Sequence, residues 1–138
     1  KTLTQQPADN PNLAGALADN GIQWTASDNS REPQQRSAGS STLTVPRYPM
    51  NVYYNTGTKA EMADEYNWIY ASAADGSSGI CENNPTSTCL PGPLDTATGY
   101  LSYIVPQEAR TALGHAISGD PRPHYAHQSN LPQDRTLY

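Results

Sequence analysis

The run Gly119-Asp120-Pro121-Arg122-Pro123 limits the fold of this chain more tightly than any other stretch. Proline fixes φ, lacks an N–H donor and biases its predecessor away from helix. Prolines on either side of Arg122 therefore end the helix before them and force an extended course into His124-Tyr125-Ala126-His127-Gln128-Ser129-Asn130, the next strand and its exit loop. The helix that ends here is predicted from about Pro106, with Ala109, Ala112, Leu113, Ala116 and Ile117 as its core stripe and Gly119 as its stop. The extended run holds two of the chain's three histidines together with an arginine, the densest concentration of groups able to bind a metal or move a proton. Alternation along an extended chain points His124 and His127 to opposite faces unless a bend at Tyr125-Ala126 reunites them. His115 lies off the stripe near a helix C-terminus, where its charged form suits the dipole, and reads as structural or surface.

The upstream elements follow local signals. Asp9-Asn10-Pro11 reads as a capped helix start, Leu13, Ala14, Leu17 and Ala18 as its stripe and Asn20-Gly21 as its stop. Residues 22–26 alternate and are rich in β-formers, predicting a strand that ends at Ser27-Asp28-Asn29-Ser30. Ser37 to Thr42 reads as a connector, Thr44 to Pro49 as extended, and Met50 to Tyr54 as a second strand. Thr58-Lys59-Ala60-Glu61 fits a capping box, followed by an apolar face of Met62, Tyr66, Ile69 and Tyr70. Asp64, Glu65 and Asn67 face largely outward on that helix, a solvated surface. Residues 72–100 form a long Gly, Ser, Pro and Asp-rich excursion. Helices and strands in this order predict an α/β layered or barrel arrangement.

Composition narrows the function. A length of 138 residues allows one ordinary domain or a piece of a larger one. With 36% hydrophobic residues, no Phe and nine Tyr, the core leans on Leu, Ile, Val and Tyr and is thin. A net charge of −5 disfavours nucleic acid or an anionic membrane as partner, because both demand a basic footprint. No apolar run reaches membrane-spanning length, and Lys1 does not open a signal peptide, so a secreted form would already be processed. Cys81 and Cys89 close a small polar ring, and a disulfide is preferred to a metal pair, which usually has tighter spacing; two free thiols in a reducing compartment are the alternative.

The runs Ser27-Asp28-Asn29-Ser30-Arg31-Glu32-Pro33, Val45-Pro46-Arg47-Tyr48-Pro49, Asp64-Glu65-Tyr66-Asn67 and Gly119 to Asn130 resemble the later part of the catalytic domain of secreted polysaccharide deacetylases of the nodulation and galactosaminogalactan type. The resemblance spans most of residues 5–138 and is most specific in its last run. It implies part of a distorted (β/α) barrel, a divalent metal, zinc in most members, and attack of activated water on an N-acetyl carbonyl. By the same resemblance Arg31 orients the catalytic base, and His124 or His127 is the acid. His127 is preferred because Gln128, Ser129 and Asn130 are placed to position it. Tyr125 and Asn130 are the expected substrate-binding residues. The family's Thr-Phe-Asp-Asp-like and His-x-x-x-His metal motifs are absent from the sequence, so no metal ligand carries over. Residues 1–138 are accordingly expected to be one α/β segment, the C-terminal part of a larger deacetylase-like domain, inactive by itself and completed by an N-terminal half.

Three function classes follow. The first is the later half of a secreted, metal-dependent de-N-acetylase acting on an extracellular hexosamine polysaccharide. The second is a non-catalytic carbohydrate-binding module, for which Trp24, Trp68 and the tyrosines offer stacking surfaces. The third is a structural or assembly module in which His124 and His127 merely stabilise a strand exit.

Overall fold

In the structure, a computed structural model that describes residues 10–30, 32–39, 41–50, 53 and 55–131, the first helix runs Pro11–Asp19 (α1). Asn10 caps it by accepting from the N–H of Asn12 at 3.0 Å, and Pro11 stands in the first turn, where its missing N–H has no intrahelical partner to lose. Asn20 and Gly21 end the helix, with Gly21 at φ 65°, a left-handed conformation that glycine adopts without strain.

The fold is mixed α/β with a small, open, mixed sheet of four strands: Trp24–Asp28 (β1), Ser37–Ala38 (β2), Thr42–Pro49 (β3) and His124–Tyr125 (β4). β3 is the central strand. β1 runs parallel to it, with Trp24 opposite Leu43 and Asp28 opposite Arg47; β4 is also parallel, and β2 antiparallel. The expected connector at 37–42 is therefore β2 and the opening of β3. β3 contains the run Thr44 to Pro49 expected to be extended, and hydrogen bonding explains how it accommodates Pro46. The N–H of Thr44 donates to Arg36 O of the chain leading into β2, while those of Tyr48 and Met50 donate to Pro123 O and Tyr125 O on the β4 side. Pro46 falls in the interval between these two partners, where a donor would meet nothing. Of the strand expected at 50–54, Asn51, Val52 and Tyr54 lie outside the described residues, and Met50 and Tyr53 are not in a strand.

The molecule divides into two compact units, the described residues within Lys1–Met50 with Ala116–Tyr125, and those within Asn51–His115 with Ala126–Tyr138. Among the described residues, the buried side chains of the first unit are mostly polar: Ser27, Thr42 and Thr44 on the sheet together with Glu32, beside the apolar Ala38. The second contains the apolar core of Met62, Ala63, Tyr66, Ala71, Leu90, Tyr100 and Ile104. Its main helix, Lys59–Tyr70 (α2), starts at the predicted capping box: Thr58 Oγ1 accepts from Glu61 N–H at 3.2 Å, and Glu61 accepts from Thr58 N–H at 3.0 Å. Asn67, expected on the solvated face, is instead turned to the excursion, donating to Leu94 O at 2.8 Å and accepting from Leu94 N–H at 2.7 Å.

The excursion carries a short helix, Ile80–Asn83 (α3), and the Cys81–Cys89 disulfide, with an S–S distance of 2.08 Å. A π-helical turn over Tyr100–Ile104 then leads into Val105–Ile117 (α4). The core stripe expected on α4 is not buried: Leu113 is 58% exposed, Ile117 is 78% exposed, and no residue of the helix is buried. Periodicity establishes that a helix is amphipathic but leaves open what covers its apolar side. Among the described residues no helix is long and apolar enough to cross a membrane.

Candidate functional site

The first unit gathers polar groups around the C-terminal ends of β1 and β3, where they meet the segment that leads into β4. β1 ends at Asp28, β3 at Pro49 and β4 at Tyr125, and the C-terminal ends of parallel strands are where open α/β sheets place ligands. Asp28 shapes the loop after β1: its Oδ1 accepts from Ser30 N–H at 2.8 Å and Ser30 Oγ at 2.7 Å, and its carbonyl accepts from Glu32 N–H at 2.8 Å. Glu32 is only 8% exposed. Its Oε1 accepts from Arg36 Nε at 2.9 Å and a terminal guanidinium nitrogen at 2.8 Å, while Oε2 has no hydrogen-bond partner among the described residues.

Arg122 is the hub. Its Nε and Nη2 reach Asp120 Oδ1 and Oδ2 at 2.9 and 2.6 Å, a bidentate fork, and Nη1 donates to Asn29 Oδ1 at 2.6 Å and Pro33 O at 3.2 Å. Its guanidinium also lies 4.7 Å from the centroid of the Tyr48 ring. Tyr48 donates to Asp120 Oδ2 at 2.8 Å and stacks with His124 at 5.6 Å between ring centroids. The hydrogen bonds of Arg122 hold the Asp120 carboxyl well below the usual carboxylate range, and the same pairing raises Arg122. Donation to Asp120 raises the Tyr48 phenol, since ionisation would discard that bond. Arg47, which precedes Tyr48 in β3 and so points to the other face, has its guanidinium 4.4 Å from the Tyr125 ring centroid.

Of the sequence-predicted residues, His124 joins the cluster through Tyr48, Tyr125 pairs instead with Arg47, and Arg31 lies outside the described residues. His127 and Asn130 belong to the second unit, at a 3₁₀ turn over Gln128–Asn130. His127 is exposed, while Asn130 is 0% exposed. The Asn130 carboxamide donates to Tyr53 O at 2.6 Å and Thr56 O at 2.8 Å and accepts from the backbone N–H of His127 at 2.9 Å. Nearby, burial pushes the Tyr53 phenol up, and pushes Tyr66 up to about 12.

Sequence reasoning assigned no role to Asp120, Tyr48 or Asn29, and none to Arg122 beyond its place in the motif. A signal existed: residues i and i+2 of an extended chain share a face, so an acid and a base flanking Pro121 are placed to pair.

The metal implied by the resemblance finds no donor set among the described residues, where no three His, Cys, Asp or Glu side chains gather to hold an ion. Cys81 and Cys89 are joined to each other. No family model, curated protein or solved structure matches this chain.

Proposed function

We propose that this chain forms the later part of a secreted polysaccharide de-N-acetylase that hydrolyses N-acetyl groups of an extracellular hexosamine polymer, within a distorted (β/α) barrel. The observation that carries the proposal is His127, an exposed imidazole on a backbone held by the fully buried Asn130. Positioned proton transfer needs an accessible imidazole on a fixed support. In the proposed reaction water adds to the amide carbonyl and gives its proton to the catalytic base, the C–N bond breaks, and His127 delivers its proton to the departing amine, leaving acetate and a free amino sugar; the proton taken from water then restores His127. The zinc or other divalent ion used by the enzymes this chain resembles would take its ligands from outside the described residues. The disulfide suits the oxidising surroundings of secretion.

Acetate release from N-acetylhexosamine oligomers by the native protein tests the proposal. His127→Ala is expected to lower turnover by about 10² to 10⁴ with little change in substrate binding or melting temperature. Turnover unchanged in that variant overturns the assignment. A non-catalytic carbohydrate-binding role is favoured by a separate observation, that the two tryptophans are 57% and 53% exposed. Binding of oligomers without any acetate release would select it.

A further inference from the structure

Trp24 opens β1 on the wall of a groove of about 690 Å³ in the first unit, shared with Gln34, Gln35, Pro46, Asp120 and Arg122. The volume lies within the range of small-ligand sites, about 300–1,000 Å³. Tryptophan is among the most buried residues on average, so an indole left 57% exposed in a concave surface marks a binding surface more strongly than scattered apolar atoms do.

The chemistry of the groove selects its occupant. The indole and Pro46 present flat apolar surface. The carboxamides of Gln34 and Gln35, both exposed, each offer two donors and an acceptor. The charges present cancel, because Asp120 and Arg122 are joined through two guanidinium nitrogens. A ligand matched to this set is neutral, has one apolar face, and carries a rim of hydroxyl and amide groups. Those are the attributes of an N-acetylated hexopyranose ring.

We propose that the Trp24 groove is a glycan subsite that stacks a neutral N-acetylhexosamine residue on the indole while Gln34 and Gln35 engage its hydroxyl and acetamido groups. This rests on the carbohydrate part of the function proposed above and adds where, and in which acetylation state, the polymer is held. The second tryptophan supplies an internal contrast. Trp68 lines a groove of about 460 Å³ with Asp64, Glu65 and Asp75, an acidic setting whose charge favours a cationic, de-N-acetylated ring over a neutral one.

The test uses the two tryptophans as separate reporters. In Trp68→Phe, where Trp24 is the sole indole, an N-acetylhexosamine tetramer is expected to change the fluorescence saturably. By calorimetry, Trp24→Ala is expected to weaken binding of the tetramer by about tenfold or more. Trp24→Tyr should restore most of the affinity, and Gln35→Ala, an exposed position that does not threaten folding, should weaken it severalfold. The fully de-N-acetylated tetramer is expected to bind this groove more weakly. Tetramer binding that is unchanged in both Trp24→Ala and Gln35→Ala overturns the subsite and leaves the carbohydrate function standing. Binding that follows Trp24 without acetate release by the native protein supports the subsite and overturns the deacetylase. A tetramer that binds nowhere overturns both.

Discussion

The carboxamide oxygen of Asn130 lies 2.9 Å from the backbone nitrogen of His127 and accepts its hydrogen bond, while the amide nitrogen of the same side chain serves two carbonyls, Tyr53 O and Thr56 O. One buried side chain thus ties the turn carrying a candidate acid to the segment that precedes α2. Nothing smaller than a carboxamide supplies both an acceptor and two donors here.

Asn130→Ala is expected to destabilise the protein by about 2–4 kcal/mol, because three hydrogen bonds are lost at a fully buried position; Tyr53 O keeps the N–H and hydroxyl of Thr56 as donors, whereas His127 N–H and Thr56 O lose the carboxamide. Asn130→Asp is the sharper experiment. It keeps the acceptor for His127 but sets a carboxylate against two carbonyl oxygens. Its loss at neutral pH should equal or exceed that of alanine and should shrink on acidification, as the new carboxyl gains a proton it can donate. Thermal melts of both variants across pH decide this; an aspartate variant as stable as the parent at pH 7 would contradict the assigned bonds.

Reduction of Cys81–Cys89, or the double change to serine, is expected to cost about 2–3 kcal/mol from the entropy of closing so short a ring. Titration of thiols in the unfolded, unreduced protein should find none, since both cysteines are paired. Two reactive thiols would refute the bond.

The cap of α2 gives a pH dependence of known sign. Backbone hydrogen bonds from Gly57 and Thr58 hold the Glu61 carboxyl below its ordinary value. A group depressed in the folded state contributes stability above its unfolded pKa, about 4.3 for glutamate, and loses that contribution as pH falls through the folded value. Glu61→Gln should therefore flatten the acid limb of the stability profile. Thr58→Ala should cost about 1 kcal/mol at neutral pH, the usual value of an N-cap. An acid limb identical in Glu61→Gln and parent would show that the carboxylate is not engaged.

Arg122→Lys is not a conservative change at this position, because an ammonium cannot reproduce the fork to Asp120 while also reaching Asn29 and Pro33. The Asp120 carboxyl should rise toward an ordinary value in Arg122→Lys and further in Arg122→Ala. Carbon-detected NMR titration measures it directly. No movement in either variant would mean that another group sets this carboxyl.

Local signals carried much of the fold. Thr58 and Glu61 specify a cap through two hydrogen bonds within four residues, and Asn10-Pro11 likewise announces α1, because both depend only on near neighbours. The disulfide was legible from ring size. The extended course of residues 44–49 was legible, but its place as the central strand was not, because Pro46 is tolerated only where two partners share one edge of the strand, a fact of topology. The stripe on α4 was legible as a helix and wrong as core, since what covers a face is not encoded in its period. The strand-end site was half visible: His124 stood out by type, whereas the partnership of Arg122 with Asn29 joins residues 93 apart in sequence.

The hydroxyl-lined interior of the first unit has a thermal consequence. Unfolding raises the heat capacity in proportion to the apolar surface exposed and lowers it for polar surface. Releasing Ser27, Thr42, Thr44 and Glu32 to water therefore adds little to the increment, whereas releasing Met62, Leu90 and Ile104 adds much. The heat-capacity increment on unfolding is therefore expected to come mainly from the second unit's core, which sets how steeply the unfolding enthalpy changes with temperature.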